Sequence, residues 1–327
     1  MDNLINFVYT NGVNVKNNIV AGFFWGTPAE VEARTDADLA AFRLVHPAGA
    51  LPPSGTPFAV PAEARVLRRG GRVVARAWET DEAEYVFMAG VEPPDLSAPR
   101  GTQAAAVFPE IESILAEVGM TFANVVRTWL YIDRVCEWYG EFNAARSAFF
   151  ETRKVFDVFL PASTGIGSAN LGGAALVAGA IAMKPKRADV RAEIVESPLQ
   201  APAMAYKSSF SRAAEIIRPT GRQLFISGTA SIKPNSHDVA YVGDIVRQID
   251  CTMTAVLAIL ESRGYGWAEV SRAIVYLKDP SYRTAWRAWL AAHNLPETFA
   301  AETVCDVCRD EWLFEIEADA VKGDRVI

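Results

Sequence analysis

The stretch ILAEVGMTFANVVRTWLYIDR, residues 114–134, returns further along the chain as ILESRGYGWAEVSRAIVYLKD, residues 259–279. The two stretches align without a gap, so that Arg127 falls on Arg272. A match of this length within one chain indicates a duplicated structural unit, because self-similarity is the sequence signature of repeated folds. We therefore expect the two halves of the chain to share one architecture.

The sequence before each stretch extends the repeat. EYVFMAG at 84–90 is echoed by RQLFISG at 222–228, and both read as strands. In both units the apolar residues that follow are spaced like one face of a helix. The helix residues are Val107, Ile111, Ile114, Leu115 and Val118 in the first unit, and Ile245, Ile249, Met253, Val256, Leu257 and Leu260 in the second.

Apolar runs complete the plan of each unit. Those at 125–132 and 273–277 follow a glycine and read as buried strands, and closing strands are expected at 174–183 and 312–321. Each unit thus alternates strands with helices, and a sheet with helices on one face is the expected packing. The predicted fold class is α+β, with two tandem domains that each lay helices on one face of a mixed sheet.

The repeat also predicts the domain boundaries. Residues 1–80 lie outside it and are rich in Pro and Gly, so they are expected to form an N-terminal appendage of short strands and loops. The first domain is expected at 81–199 and the second at 200–327, because ESPLQAP at 196–202 breaks the periodicity.

Composition excludes several classes of protein. Half of the 327 residues are hydrophobic and 22% are charged, which is typical of a globular protein. The net charge of −7 argues against general nucleic-acid binding, and the longest apolar runs are too short for a membrane span. The first residues lack the pattern of a secretory signal, and four cysteines do not suggest a disulfide framework, so a cytoplasmic location is expected.

Familiar catalytic motifs are absent, and the three histidines are scattered. Cys305 and Cys308 form a CxxC, but no second pair exists to complete a zinc site, so no metal is expected. One of these cysteines is expected in the core and the other at whatever the strand end faces.

Carboxylates in the closing strand of the second unit are more informative. Glu315 and Glu317 stand two apart in WLFEIEADAV, so they share one strand face among apolar neighbours. A half-buried Glu has a raised pKa and can serve as a general acid, whereas solvated glutamates on an edge strand are the alternative. Only the second unit carries acids in this strand, which favours a function.

Two arginines suggest an anion site. Arg146 follows Asn143 on a helix face, and Arg212 stands at the start of the second unit. Because guanidinium groups bind carboxylates in a bidentate manner, the two arginines and a buried Glu predict a pocket for an anion between the domains.

The second unit resembles the YjgF/Rid (chorismate mutase-like) fold in YKSSFSRAAEI (206–216), RQLFISGTASI (222–232) and FEIEADAV (314–321). That family binds ligands in clefts between units, usually in a trimer. Its imine deaminases carry an arginine where this chain has Ser163 and Glu302. The resemblance therefore gives no carboxylate anchor to a deaminase in either half, although a deaminase and a non-catalytic anion sensor stay alternatives.

The tandem arrangement is similar to the chorismatases, over about residues 85–320. The resemblance is carried by the segments RTWLYIDRV, YGEFNAARSAFF, LPASTGIG, SFSRA, SGTAS and DVCRDEWLFEIE. It implies cleavage of chorismate to pyruvate and a ring product, without a cofactor, in a monomer or a homotrimer.

The resemblance also implies site residues. Glu315 matches the family's acid, and chorismate would be bound by Arg146, Arg212, Tyr139, Thr164, Tyr206 and Ser227. Cys308 stands at the spacing from Glu315 that is found in members forming 3-hydroxybenzoate, sometimes with 4-hydroxybenzoate. Ala230 is a small pocket position that varies with product type. The expected product is 3-hydroxybenzoate, and hydrolysis to a dihydroxycyclohexadiene carboxylate is the alternative.

Overall fold

The computed structural model describes residues 21–46, 51, 54–58, 60–206, 208–234, 236 and 238–325, without the side chain of Tyr206. The strands in chain order are β1 (Ala21–Gly26), β2 (Ala40–Val45), β3 (Ser54–Pro57), β4 (Arg65–Arg69), β5 (Arg72–Glu79), β6 (Ala83–Val91), β7 (Val125–Ile132), β8 (Ala162–Gly167), β9 (Ala169–Asn170), β10 (Leu176–Pro185), β11 (Arg191–Val195), β12 (Ala213–Ile217), β13 (Gly221–Ala230), β14 (Val270–Leu277), β15 (Ala301–Val304) and β16 (Phe314–Gly323). The helices are α1 (Pro28–Arg34), α2 (Arg100–Ala116), α3 (Val135–Thr152), α4 (Val155–Val158), α5 (Ile245–Ser262) and α6 (Arg283–Ala292).

Two six-stranded sheets repeat one strand order, β4-β5-β6-β10-β7-β8 and β11-β12-β13-β16-β14-β15. In both sheets only the last pair is parallel, β7 with β8 and β14 with β15. Because a parallel pair needs a crossover connection, each unit carries a helix between these strands, α3 in the first and α6 in the second. The duplicated α+β plan expected from the repeat is confirmed.

The helices pack on one face of each sheet. In α5 the side chain of Asp244 accepts a hydrogen bond from the backbone N of Arg247 and so caps the first turn. The apolar stripe that includes Ile249, Met253 and Val256 is buried against β13 and β16. Every helix in the described part of the chain is too short or too polar to span a lipid bilayer.

The face of each large sheet that carries no helix packs against that of the other sheet, and the two faces share one core. A third sheet, with the order β3-β1-β2-β9, covers this core with aromatic side chains such as Phe23 and Phe42. Phe23 meets Trp129 of the first sheet at a centroid distance of 5.3 Å, and Ile274 and Tyr276 of the second sheet pack in the same cluster. The three sheets therefore enclose a common interior.

Both large sheets begin before the predicted domain starts at residues 81 and 200. The hairpin β4–β5 precedes residue 81, but its strand β5 pairs with β6. Gly70 and Gly71 adopt the positive φ values that the tight turn of this hairpin requires. In the second sheet, β11 precedes residue 200 and pairs with β12. The predicted N-terminal appendage is thus divided, and its strands β1 to β3 form most of the covering sheet.

Candidate active site

A cleft opens where β8 of the first sheet meets β12 and β13 of the second. Backbone and side-chain hydrogen bonds join the two units there: the backbone N of Ser163 donates to Oγ of Ser227 at 2.8 Å, and the backbone N of Gly228 donates to Oγ1 of Thr164 at 3.1 Å. The backbone N of Ser211 donates to the carbonyl oxygen of Pro161 at 3.0 Å. These bonds fix the cleft walls relative to each other.

The cleft and the open solvent at its mouth together comprise about 610 Å³ of space that no atom of the protein occupies. Its walls combine cationic, hydroxyl, apolar and carboxyl groups from both units. The lining residues are Tyr139, Arg146, Ser163, Gly165, Ser208, Phe210, Arg212, Gly228, Ala230, Ile232, Cys308, Arg309, Trp312 and Glu315. A concave, partly apolar site with a few converging polar groups is typical of small-molecule binding.

Glu315 projects into this cleft from β16. Its neighbours Phe314 and Ile316 point to the helical side of the sheet, as the alternation of a strand requires. The side chain is 5% exposed, and among the described residues no donor bonds to its carboxyl group. Burial, together with the negative charge of Glu317, raises the pKa of Glu315 to about 8. Glu315 is therefore protonated at neutral pH.

Glu317 lies on the same strand face but in a different environment. Its Oε2 accepts from Nη2 of Arg127 at 3.0 Å and from the hydroxyl of Tyr276 at 3.1 Å. Its Oε1 accepts from Nε1 of Trp129 at 2.8 Å and lies 2.7 Å from Nη1 of Arg272. The two arginines and the hydrogen bonds outweigh burial and lower the pKa of Glu317. The two glutamates thus hold opposite protonation states.

Arg146 faces the cleft from α3 and is 3% exposed. Its Nη2 donates to Oδ1 of Asn143 at 2.6 Å, whereas its buried Nε has no partner. In the described part of the chain no carboxylate lies within ion-pair distance of Arg146. A buried guanidinium without an acidic partner is suited to bind an anion.

Arg212 is the second buried cation of the cleft. Its Nε and Nη2 both donate to the carbonyl oxygen of Ala201, at 3.0 and 2.9 Å, and its guanidinium stacks over the ring of Phe210. These contacts fix the direction of the side chain. The cleft therefore presents two oriented positive groups, one from each unit.

Cys308 lines the cleft beside Tyr139. Burial and the neighbouring Glu315 raise the pKa of the Cys308 thiol to about 12, so the thiol is neutral. Cys305 is half-buried and packs against the core between the sheets, and it is not among the residues that line the cleft. Strand β15 ends at Val304, so both cysteines follow the strand. Among the described residues no cluster of three metal-ligating side chains occurs.

Comparisons with known proteins agree with this architecture. A family model described as Endoribonuclease L-PSP matches residues 200–322. A crystal structure of a chorismatase superposes with a TM-score of 0.69 over 96% of this chain and 97% of that chain, at 19% sequence identity. A chorismatase from Streptomyces hygroscopicus is 26% identical over 74% of this chain and 73% of its own length. A 3-hydroxybenzoate synthase from the same organism is 30% identical over 81% of this chain and 82% of its own length. The chain belongs to the chorismatase family.

The structure of this chorismatase family member brings together most of the residues implied by the sequence resemblance. Those that line the cleft are Glu315, Cys308, Arg146, Arg212, Tyr139 and Ala230. Thr164 and Ser227 lie behind the wall instead, because their hydroxyl groups are buried and bonded to protein atoms, including Nη2 of Arg127 and the carbonyl oxygen of Ser211. The side chain of Tyr206 lies outside the described residues.

The two positions that correspond to the arginine of Rid deaminases carry no cation in this chorismatase. Ser163 lines the cleft, and its hydroxyl accepts a hydrogen bond from that of Thr128. Glu302 on β15 is paired with Arg283 and Arg287 instead. The carboxylate anchor of the deaminases is missing at both positions.

Sequence reasoning overlooked the residues that surround Glu317. Arg127 and Arg272 were visible as identical positions of the repeat, and an arginine retained in two buried strands was a signal that both needed a counter-charge. Trp129 and Gly228 gave no such signal. Gly228 matters because a Cβ atom there would lie 2.0 Å from Oε1 of Glu315, so the glycine makes room for the carboxyl group.

Proposed function

We propose that this protein converts chorismate into pyruvate and 3-hydroxybenzoate, with Glu315 as the general acid. The observation that carries the proposal is the buried carboxyl group of Glu315, whose pKa burial raises, in a cleft whose walls hold Arg146 and Arg212. Glu317 cannot serve as the acid, because its oxygens are occupied by donors and its charge is held by two arginines.

Substrate binding follows from the charges of chorismate. The molecule has one carboxylate on the ring and one on the enolpyruvyl ether, and the cleft offers one buried arginine from each unit. Arg146 and Arg212 each bind one of these carboxylates. The hydroxyl group of Tyr139, on the cleft wall, donates a hydrogen bond to the substrate. Thr164 and Ser227 act as positioning residues, since they hold β8 against β13.

The reaction begins when Glu315 protonates the methylene carbon of the enolpyruvyl group. The resulting oxocarbenium ion makes the ether oxygen a good leaving group, and the bond from ring carbon C3 to that oxygen breaks as pyruvate forms. The C4 hydroxyl group attacks C3 and returns a proton to the carboxylate of Glu315. The resulting epoxide opens and loses the C3 hydrogen, which gives 3-hydroxybenzoate. The atoms of pyruvate and 3-hydroxybenzoate sum to chorismate, so the reaction needs no cofactor.

Exclusion of water from C3 decides between this product and the hydrolytic diol. The wall near Glu315 is formed by Cys308, Ala230, Ile232 and Trp312, and the first of these is a neutral thiol. Thiols are weak hydrogen-bond partners and hold a nucleophilic water poorly. This apolar wall favours the internal attack by the C4 hydroxyl group.

The function is tested by incubating the purified protein with chorismate, without added cofactor or metal, and measuring pyruvate and ring products by chromatography. We expect equimolar pyruvate and 3-hydroxybenzoate. Glu315→Gln should lose turnover by at least the roughly 10²–10⁴-fold typical of a general acid, while chorismate still binds.

Each other outcome has a distinct meaning. A non-aromatic diol with pyruvate would make the enzyme a hydrolytic chorismatase and overturn the role given to Cys308. No pyruvate at all would refute the chorismatase activity, and wild-type turnover by Glu315→Gln would refute the acid.

We also propose that the protein acts as a monomer. The inner faces of both large sheets and of the covering sheet pack in one core within the chain. The sheet surface that could bind further copies is therefore already covered.

A further inference from the structure

The charges around Glu317 form a balanced group beneath the cleft. Arg127 and Arg272 contribute two positive charges, and Glu317 and Asp319 contribute two negative charges. Nε of Arg272 donates to Oδ2 of Asp319 at 2.7 Å, and all four side chains are at least nine-tenths buried. The formal charges of the four side chains therefore sum to zero, and the group has no net positive charge with which to stabilise another anion.

Glu315 stands two residues before Glu317 on the same strand face, which places their Cα atoms about 7 Å apart. Nothing in the described structure bonds to the Glu315 carboxyl group, whereas Glu317 receives donors on both oxygens. Two neighbouring carboxyl groups do not both ionise in a buried site unless each has its own counter-charge. Arg127 and Arg272 are the counter-charges of Glu317.

We propose that Glu317 is a positioning residue of this site, whose permanent negative charge keeps the proton on Glu315 until the substrate takes it. The proposal rests on the function proposed above. It assigns Arg127 and Arg272 the task of holding that charge in place, through Glu317 rather than by contact with the substrate.

Other groups also face Glu315, and they do not replace Glu317 in this role. Arg127 and Arg212 lower the affinity of Glu315 for its proton. The thiols of Cys305 and Cys308 are neutral, because burial raises the pKa of each. Tyr139, Arg146 and Arg309 line the cleft as well, and the two arginines among them can only favour the ionised acid. Burial, which is the larger cause, and the charge of Glu317 together oppose these cations.

The substrate strengthens the effect. When the two carboxylates of chorismate bind Arg146 and Arg212, these cations are neutralised, and the negative charge of Glu317 acts on Glu315 with less opposition. Binding of chorismate therefore raises the pKa of Glu315 and keeps on it the proton that the reaction requires.

The test is the pH dependence of kcat/KM with chorismate in charge variants. Wild-type activity should fall at alkaline pH as Glu315 ionises. In Glu317→Gln this descending limb should move to lower pH by about one to two pH units, the usual effect of a neighbouring charge. In Arg127→Gln it should move to higher pH. A structural defect would lower the rate in both variants, but it would not shift the alkaline limb to lower pH in Glu317→Gln and to higher pH in Arg127→Gln.

Two further variants serve as controls. Tyr276→Phe removes one hydrogen bond to Glu317 and no charge, so its limb should coincide with that of the wild type. Glu317→Asp keeps the charge and should restore the wild-type limb. If Glu317→Gln fails to fold, the charge-balanced double variant Glu317→Gln/Arg272→Gln decides, because it removes one buried charge of each sign. An unmoved limb in that variant contradicts the proposal.

A second readout separates this inference from the proposed function. The carboxylic acid C=O band of Glu315 in difference infrared spectra of the ligand-free protein, identified by its loss in Glu315→Gln, should titrate at lower pH in Glu317→Gln. An unchanged titration would overturn the role of Glu317 even if chorismate were cleaved. Absence of turnover in the wild type, with a shifted titration, would overturn only the chorismatase activity.

Discussion

Glu315 and Glu317 show how one strand supports two opposite states of the same side chain. The spacing of the two residues predicts a shared face, and the structure confirms it. The spacing could not predict which carboxyl group is ionised, because two of the donors to Glu317, Arg127 and Trp129, come from the other half of the chain. Protonation at this site is a property of the tertiary contacts and not of the local sequence.

The raised pKa of Glu315 predicts a measurable effect on stability. The folded state binds this proton more tightly than the unfolded state, so the free energy of unfolding falls as pH rises from the ordinary Glu value towards about 8. Glu315→Gln has no such proton to lose and should lose less stability over this range. The difference should be on the order of a few kcal/mol. Urea unfolding of both proteins at pH 5.5 and 8.5, conditions chosen to span about this interval, measures it, and parallel losses would contradict the assignment.

Arg146 is the residue whose substitution should report on substrate binding alone. Loss of a charge-assisted hydrogen bond costs about 1.5–3 kcal/mol, so Arg146→Ala should raise KM for chorismate roughly 10- to 100-fold. Arg153→Ala serves as the control, because Arg153 follows the same helix but is exposed and paired with Glu112. Steady-state kinetics of the two variants checks this. Equal KM values would show that Arg146 does not bind the substrate.

At the scale of the elements, the sequence predicted the order of strands and helices better than their ends. The hydrophobic repeat located β7 and α5 because both bury an apolar face that periodicity makes visible. It did not indicate that the hairpin β4–β5 joins the first sheet, since β4 is largely exposed and rich in arginine and does not read as a sheet strand. The partner of an edge strand is fixed by tertiary pairing, which the pattern of one segment does not contain.

The contact between β13 and β16 gives a prediction at the same scale. Gly228 on β13 leaves space for the Glu315 carboxyl group on β16, and Gly228→Ala would drive the flexible end of that side chain away. We expect the variant to fold and to lose about 10²-fold in kcat, the usual cost of a misplaced catalytic group. Gly140→Ala is the matched control, because a Cβ atom there meets nothing within 4 Å. Assays of both variants with chorismate decide, and full activity in Gly228→Ala would mean that Glu315 adapts.

For the whole molecule, the three sheets around one interior predict the state of association. Size-exclusion chromatography with light scattering should give the mass of one chain, 35.6 kDa, at all accessible concentrations. The physical reason is that the apolar inner faces, with Phe23, Trp129 and Tyr276 among them, are buried inside the chain. A mass three times larger would show that another surface associates and that the covered core does not prevent it.

The single carboxylate shared by Arg127 and Arg272 also bears on the history of the two halves. Gly179 occupies the place of Glu317 in the first half, where a side chain would collide with Phe42, so that half holds a buried guanidinium whose counter-ion is encoded in the other half. Fragments cut at the junction near residues 196–202 would each inherit an unbalanced charge. Co-expression of the two fragments should restore the charge balance that neither fragment has alone. Although the two halves repeat one strand order, each therefore supplies a charge that the other half requires, and neither could replace the other.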